Sequence, residues 1–394
     1  MKQFNNNLQY SLGFSYCLGI GPMKFQKLKE YFKTVEAAYH ADQRKLELVL
    51  GVKLAEKFVE FRRKFDPKKE LEKLKNDKIF VVAVDDKDYP ESLKNISDPP
   101  ICLYVKGSTN ILKSKSSDAR FESIARDPLW GVANEKRGSE LLAVSVFFAI
   151  VGTRKPTSYG IQITKKFSRE LTEAGFTIVS GMALGVDTIA HQTALDSGGK
   201  TIAVLGSGVN VIYPSSNFQL YHDIINNGGA VISEFPPNQF VLKGLFISRN
   251  RIISGLSCGV LIAEGGEFSG ALITAKYAGI QGKDVFAVPS PINSEMASAP
   301  NLLIKQGAKM VTTTTDILDE FGMKITPKKK EDIREKLGEI EKLIFDILIK
   351  NPRTVDDIAI EINKNITEVL NMMSVLEING VIEKNIEKKY QIRI

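Results

Sequence analysis

Three observations predict an α/β fold built on a mostly parallel, doubly wound sheet. Short apolar runs recur from Ile79 onwards, each ends at a glycine or proline turn, and each turn opens a segment of helical periodicity. Strands are expected over 80–84, 103–105, 146–151, 177–179, 201–205, 230–233, 259–263 and 284–288. Such a sheet keeps its binding sites beyond the C-terminal ends of its strands.

Residues 1–66 are expected to form a helical module with two tight turns, at Leu18-Gly-Ile-Gly-Pro22 and Leu50-Gly-Val-Lys53. The first resembles a helix-hairpin-helix turn, in which glycines let two helices meet and a helix N-terminus can take a DNA phosphate. A plain helical packing module accounts for the same residues. The charged stretch Arg62-Arg-Lys-Phe-Asp-Pro-Lys-Lys69 marks the boundary to the sheet domain, 67–322. Within it, 113–140 breaks the rhythm: it is polar, mixed in charge and holds the sole tryptophan, Trp130. It reads as a mobile insertion with a short helix around Arg120 to Ala125. A charged linker, 323–336, precedes a second domain at 337–394. Three helices and a β-hairpin are expected there, resembling a winged helix.

With 394 residues, the chain is long enough for two or three domains. The balance of 53 Lys+Arg against 46 Asp+Glu, +7 net, leans towards an acidic partner without separating nucleic acid from mere solubility. Cys17, Cys102 and Cys258 are too scattered for a disulfide framework or a zinc knuckle, which suits a reducing cytoplasm. No apolar run approaches the roughly 20 residues of a membrane helix. No signal-peptide core opens the chain.

The sharpest functional signal is a pair of glycine-bounded turns, Gly152-Thr-Arg-Lys-Pro-Thr-Ser-Tyr-Gly160 and Ser180-Gly-Met-Ala-Leu-Gly-Val-Asp187, each following a predicted strand. Backbone N–H groups and helix N-termini would converge there on a phosphate, with Thr153, Arg154 and Lys155 adding side chains and Ser180 and Gly181 the second wall. Neither turn brings a nucleophile, paired carboxylates or metal ligands, so the site is expected to hold phosphate rather than break it. No metal or cofactor is expected. His191 stands without catalytic companions at telling spacing and reads as structural.

Further along, Lys243, Phe246 and Arg249-Asn250-Arg251 mix cations with an aromatic, the combination that grips phosphates and stacks an unpaired base. Equally, Phe246 could be core and an arginine could pair with Glu234 or Glu264. Gly206-Ser207-Gly208 begins like a dinucleotide fingerprint, but Val211 stands where Gly or Ala is needed, so a simple turn near the phosphate site is the better reading. At Glu264-Gly-Gly-Glu-Phe-Ser-Gly270, Ser269 suits a helix cap and Gly270 permits close approach, either as another anion cradle or as a well-capped core helix.

Taken together, Ala149-Ile-Val-Gly-Thr-Arg-Lys-Pro156, Ile178 to His191, Ile202-Ala-Val-Leu-Gly-Ser-Gly208, Tyr213-Pro214, Ser233-Glu-Phe-Pro236, Ser248 to Leu256 and Ser269 to Ala275 resemble the DNA-processing protein family DprA, also called Smf. The resemblance covers roughly 79–318, with Asp88-Tyr-Pro90 and Asp98-Pro-Pro100 agreeing upstream. It implies an extended Rossmann-like domain that binds single-stranded DNA without sequence preference, protects it, dimerises and helps load the RecA recombinase during natural transformation, without catalysis. It further implies that Arg154 and Lys243 take neighbouring phosphates, Phe246 contacts a base, Arg249 and Arg251 line the groove, and Gly152, Gly181 and Gly206 keep its walls low. The segment before residue 146 is longer than the family's, and Ser290 and Ala299 stand where glycines are usual, so the loop 289–301 is expected to differ in shape. From Thr354 to Gly380, Asp356, Asp357, Glu361, Glu368 and Glu377 face only Lys364, a poor balance for duplex DNA, so the last domain reads as a protein contact. The alternatives are a mononucleotide-binding protein or a nucleotide N-glycosidase of the lysine-decarboxylase-like kind. The latter's Thr-x-x-Glu signature is missing after Gly265-Gly266.

Overall fold

The computed structural model describes residues 6–112, 146–323, 334–335, 337–378, 381–385 and 388–392. These fall into two compact units, one running to residue 323 and the other from residue 334. The insertion expected at 113–140, with its helix and Trp130, and most of the linker expected at 323–336 lie outside the described residues.

The first unit is organised by a nine-stranded sheet in the order β1-β2-β6-β5-β4-β3-β7-β8-β9. The strands are β1 Phe80–Ala83, β2 Cys102–Gly107, β3 Val146–Val151, β4 Phe176–Ser180, β5 Thr201–Val204, β6 Ala230–Ser233, β7 Gly259–Ile262, β8 Asp284–Ala287 and β9 Lys309–Met310. All pairings from β6 to β9 are parallel. Only the β1–β2 and β2–β6 pairings are antiparallel. The central strands β3, β4, β5 and β7 are buried throughout, as unbroken apolar runs under helices on both faces should be.

Along β3 the side chains divide between two cores. Phe147, Ala149 and Val151 join one, and Val146, Phe148 and Ile150 join the other. This is the period of two that separates the faces of a sheet. Chain order runs outward from β3 in both directions, through β4, β5 and β6 on one side and β7, β8 and β9 on the other. The β3–β7 junction is therefore the topological switch point, where the crossovers diverge and leave a crevice at the strand C-termini.

Six helices precede the sheet, from Asn6–Tyr16 to Pro67–Asn76. Thr34, Asp42 and Asp66 cap three of them by accepting backbone N–H bonds. Gly19 and Gly51 make the expected turns at φ +107° and +78°, and Pro22 opens the next helix at its first position. The segment expected over 1–66 is continuous with the sheet. Phe14, Phe25 and Phe58 share a core with β2, and the Ser15 and Tyr104 hydroxyls lie 2.7 Å apart in a hydrogen bond.

The second unit contains helices Glu339–Lys350, Val355–Glu361 and Ile366–Ile378, followed by the antiparallel pair β10 Ile382–Lys384 and β11 Tyr390–Ile392. Ile344, Leu348, Ile358, Val369, Met373 and Tyr390 form its core. Thr354 and Asp357 make a reciprocal capping box at the start of the middle helix.

Candidate nucleic-acid interface

At the switch point lies an open cleft of about 840 Å³. Much of its lining comes from three places: Gly152, Thr153 and Arg154 just after β3; Lys243, Phe246, Arg249 and Asn250 on the helix Lys243–Leu256; and Gly266 to Ala271 after β7, with Ala183, Asp187 and Tyr213 beside them. The sequence motifs thus converge in one crevice.

The two glycine-bounded turns are nevertheless not empty phosphate cradles. Glu264, 1% exposed, places its carboxylate on the N-terminus of the helix Ser158–Glu173, accepting from the Thr157 backbone N–H at 2.9 Å and the Thr157 hydroxyl at 2.6 Å. Asp187 fills the second turn itself, accepting from the backbone N–H groups of Gly181 at 3.1 Å and Ala183 at 3.4 Å. A carboxylate answers the positive end of a helix as a phosphate would. The cradles are filled by the protein's own side chains. Burial raises the Asp187 carboxyl, opposed by the nearby Arg249 guanidinium.

The glycines expected to keep the groove walls low are small because of protein neighbours. A Cβ on Gly152 would sit 2.6 Å from Val186 and 2.7 Å from the Glu264 carbonyl, and one on Gly181 would sit 2.3 Å from Arg249. On Gly206 it would meet the Phe246 ring at 2.9 Å and its backbone at 3.1 Å. They admit side chains and a helix. The serines behave likewise: Ser180 donates to the Ile150 carbonyl at 2.7 Å and Ser207 to that of Val211 at 2.9 Å, both buried.

The cations divide sharply. Arg251 is 3% exposed and gives both arms of its guanidinium to Glu234, at 2.7 Å each, and its Nε to Asp98 at 2.8 Å. It does not line the cleft, contrary to the expectation from the resemblance. Arg249 reaches the cleft floor, but its Nη1 donates to the carbonyls of Gly181, at 2.6 Å, and Val204. There it ties the ends of β4 and β5 to the helix, and burial pulls its pKa down to about 10. Asn250 holds the next helix by donating to the Gly270 carbonyl at 3.3 Å. Arg251 thus has its whole fork engaged by carboxylates, and Arg249 has its Nη1 engaged by carbonyls.

Arg154, Lys155 and Lys243 remain exposed, with no ion-pair partner among the described residues. The Arg154 guanidinium stands 5.7 Å from the centroid of the half-buried Phe246 ring, which itself packs 5.7 Å from the ring of Tyr213. Thr153 is held on both sides, its N–H bonded to the Glu264 carbonyl and its carbonyl accepting from Val186 N–H. Ser269 is a cap, accepting from Ala271 N–H at 3.3 Å, and Gly270 faces open space.

Two aromatic cleft residues escaped the sequence reading of the site, Tyr213 and Phe268, 46% and 94% exposed. Each is an aromatic set among turn residues after a strand, a signal that was available. His191, by contrast, is fully buried against Thr201, with its pKa depressed to about 3 by burial and by Arg249.

Among known proteins, the chain matches the family described as DNA recombination-mediator protein A over residues 80–118 and 136–322. It is 36% identical over 320 residues to protein Smf of Synechocystis sp., covering 81% of this chain and 73% of that protein. It is 39% identical over 233 residues to DNA processing protein DprA of Streptococcus pneumoniae, covering 59% of this chain and 71% of that protein. The X-ray structure of DNA processing protein A from Streptococcus pneumoniae superimposes with a TM-score of 0.63 at 33% identity, over 79% of this chain and 96% of the other.

Proposed function

The chain belongs to the DNA recombination-mediator protein A family, and from that premise we propose that the cleft at the β3–β7 switch point binds single-stranded DNA without sequence preference. One observation carries the reading: Arg154 and Lys243, both exposed, flank the Phe246–Tyr213 aromatic pair in a single crevice. Cations for phosphates beside a ring face for an unstacked base favour a single strand over a duplex, whose bases are already stacked. No readout of base edges is needed, which supports sequence tolerance.

In this reading the protein shields incoming single strands and passes them to the RecA recombinase during natural transformation, working in the cytoplasm as a dimer through its Rossmann-like domain. It acts by holding, not by catalysis. The buried carboxylates of Glu264 and Asp187 are engaged by backbone N–H groups of the two turns, which supports that view. The turn Leu18 to Pro22 would act as a helix-hairpin-helix element. The unit from residue 334 would be a winged helix used for protein contact: Lys364 is paired with Glu368 at 3.3 Å, while Ile366 and Leu370, one turn apart, are 48% and 42% exposed.

The test is fluorescence anisotropy of labelled oligothymidine titrated across salt. Affinity should fall steeply with salt, and Arg154→Ala with Lys243→Ala should lower the logarithmic slope by roughly 1.4, about 0.7 for each lost phosphate contact. An unchanged slope would place the strand elsewhere.

A further inference from the structure

The two walls of the cleft differ in chemistry. One carries Arg154 and Lys243 with Phe246 and Tyr213; the other, residues 266–270, carries no cation and one exposed carboxylate, Glu267. At the head of this second wall stands Phe268, 94% exposed. A phenylalanine ring left in water is unfavourable by up to about 3 kcal/mol against its buried state, so a displayed one asks for a partner.

The display is built. Gly265 donates to the Met296 carbonyl and accepts from Ala299 N–H, both at 2.8 Å. Ser269 N–H closes a turn onto the Gly266 carbonyl at 3.0 Å, and its hydroxyl caps the following helix. The Gly270 carbonyl accepts from Asn250. The glycines two positions before and after Phe268 are open: Gly270 has nothing within 4 Å of a would-be Cβ, and the nearest atom to that of Gly266 is 3.6 Å away. The ring therefore projects from a fixed loop with no bulky neighbour on the adjoining glycines.

We propose that Phe268 is a second base-stacking platform, facing the cationic wall, and that the pair of walls sets the orientation of a strand in the cleft. Phosphates lie towards Arg154 and Lys243, and bases turn towards the 266–270 loop, where Glu267 repels phosphate. This rests on the single-strand reading above.

Anisotropy with wild-type protein, Phe268→Ala and Phe268→Trp, each against oligothymidine and an abasic strand of equal length, tests it. Phe268→Ala should lose roughly 5- to 150-fold on oligothymidine, the range of one aromatic–base stack. It should keep its affinity for the abasic strand and its salt slope, and Phe268→Trp should restore binding. Unchanged affinity for oligothymidine, or an equal loss on both strands, would overturn the assignment while leaving the cleft in place. Wild-type protein that binds neither strand would remove the single-strand reading itself.

Discussion

One helix, Lys243–Leu256, carries cations with opposite fates. In its first turn Lys243 is exposed at the cleft, whereas two turns later Arg249 and Arg251 are 4% and 3% exposed and committed to carbonyls and carboxylates. The first region is open to solvent at the cleft, and the second holds the ends of β4 and β5, Glu234 and Asp98 together. Cations close in sequence can thus belong to two different tasks, and burial tells them apart.

The largest expected effect breaks the buried region. Arg251→Ala leaves Glu234 and Asp98 without their cation and should cost about 3–5 kcal/mol in a denaturant unfolding curve. A loss below about 1 kcal/mol would mean that the pair is incidental. Next, Gly181→Ala pushes a methyl group into the Arg249 guanidinium and should destabilise by about 1–3 kcal/mol, measured the same way.

The buried region should also be sensitive to acid. His191 is depressed to about 3 from 6.5, so below pH 6.5 the unfolded chain binds a proton that the folded one refuses. Stability present above pH 6.5 is then lost as pH falls towards 3, by up to about 1.4 kcal/mol per pH unit. Thermal unfolding across that range should show this component vanish in His191→Gln. Smallest of all is the effect of Arg154→Ala with Lys243→Ala on stability, within about 0.5 kcal/mol, although the same pair should lower the salt slope of binding. A melting temperature shifted like that of Arg251→Ala would erase the contrast between the two regions.

Much of this was legible. The apolar runs locate eight of the nine strands, and the turn residues locate their C-terminal ends. β9 escaped because it is two exposed residues with no apolar pattern. Strand direction escaped at β1 and β2, since an isolated apolar run does not state which way it pairs. The convergence of Gly152 to Arg154, Lys243, Phe246 and Ser269 on one cleft was visible from motif positions. Helical phase could not have separated the arginines: at about 100° per residue, Arg249 and Arg251 turn about 120° and about 80° from Lys243 in opposite senses, yet only Arg249 reaches the cleft. Which glycines admit protein rather than ligand was not legible, because Val186, Arg249 and Phe246 are brought to them only by the sheet order.

The carboxylates on the two turns have a consequence for selectivity. A free nucleotide offers its binding site a concentrated phosphate charge and little else, so it must evict Glu264 or Asp187 to gain the backbone N–H groups of either turn. A polymer gains by adding modest contacts along its length and need evict neither. The chain should therefore discriminate against monomers even where they greatly outnumber strands, because the positions that would reward a single phosphate are already taken.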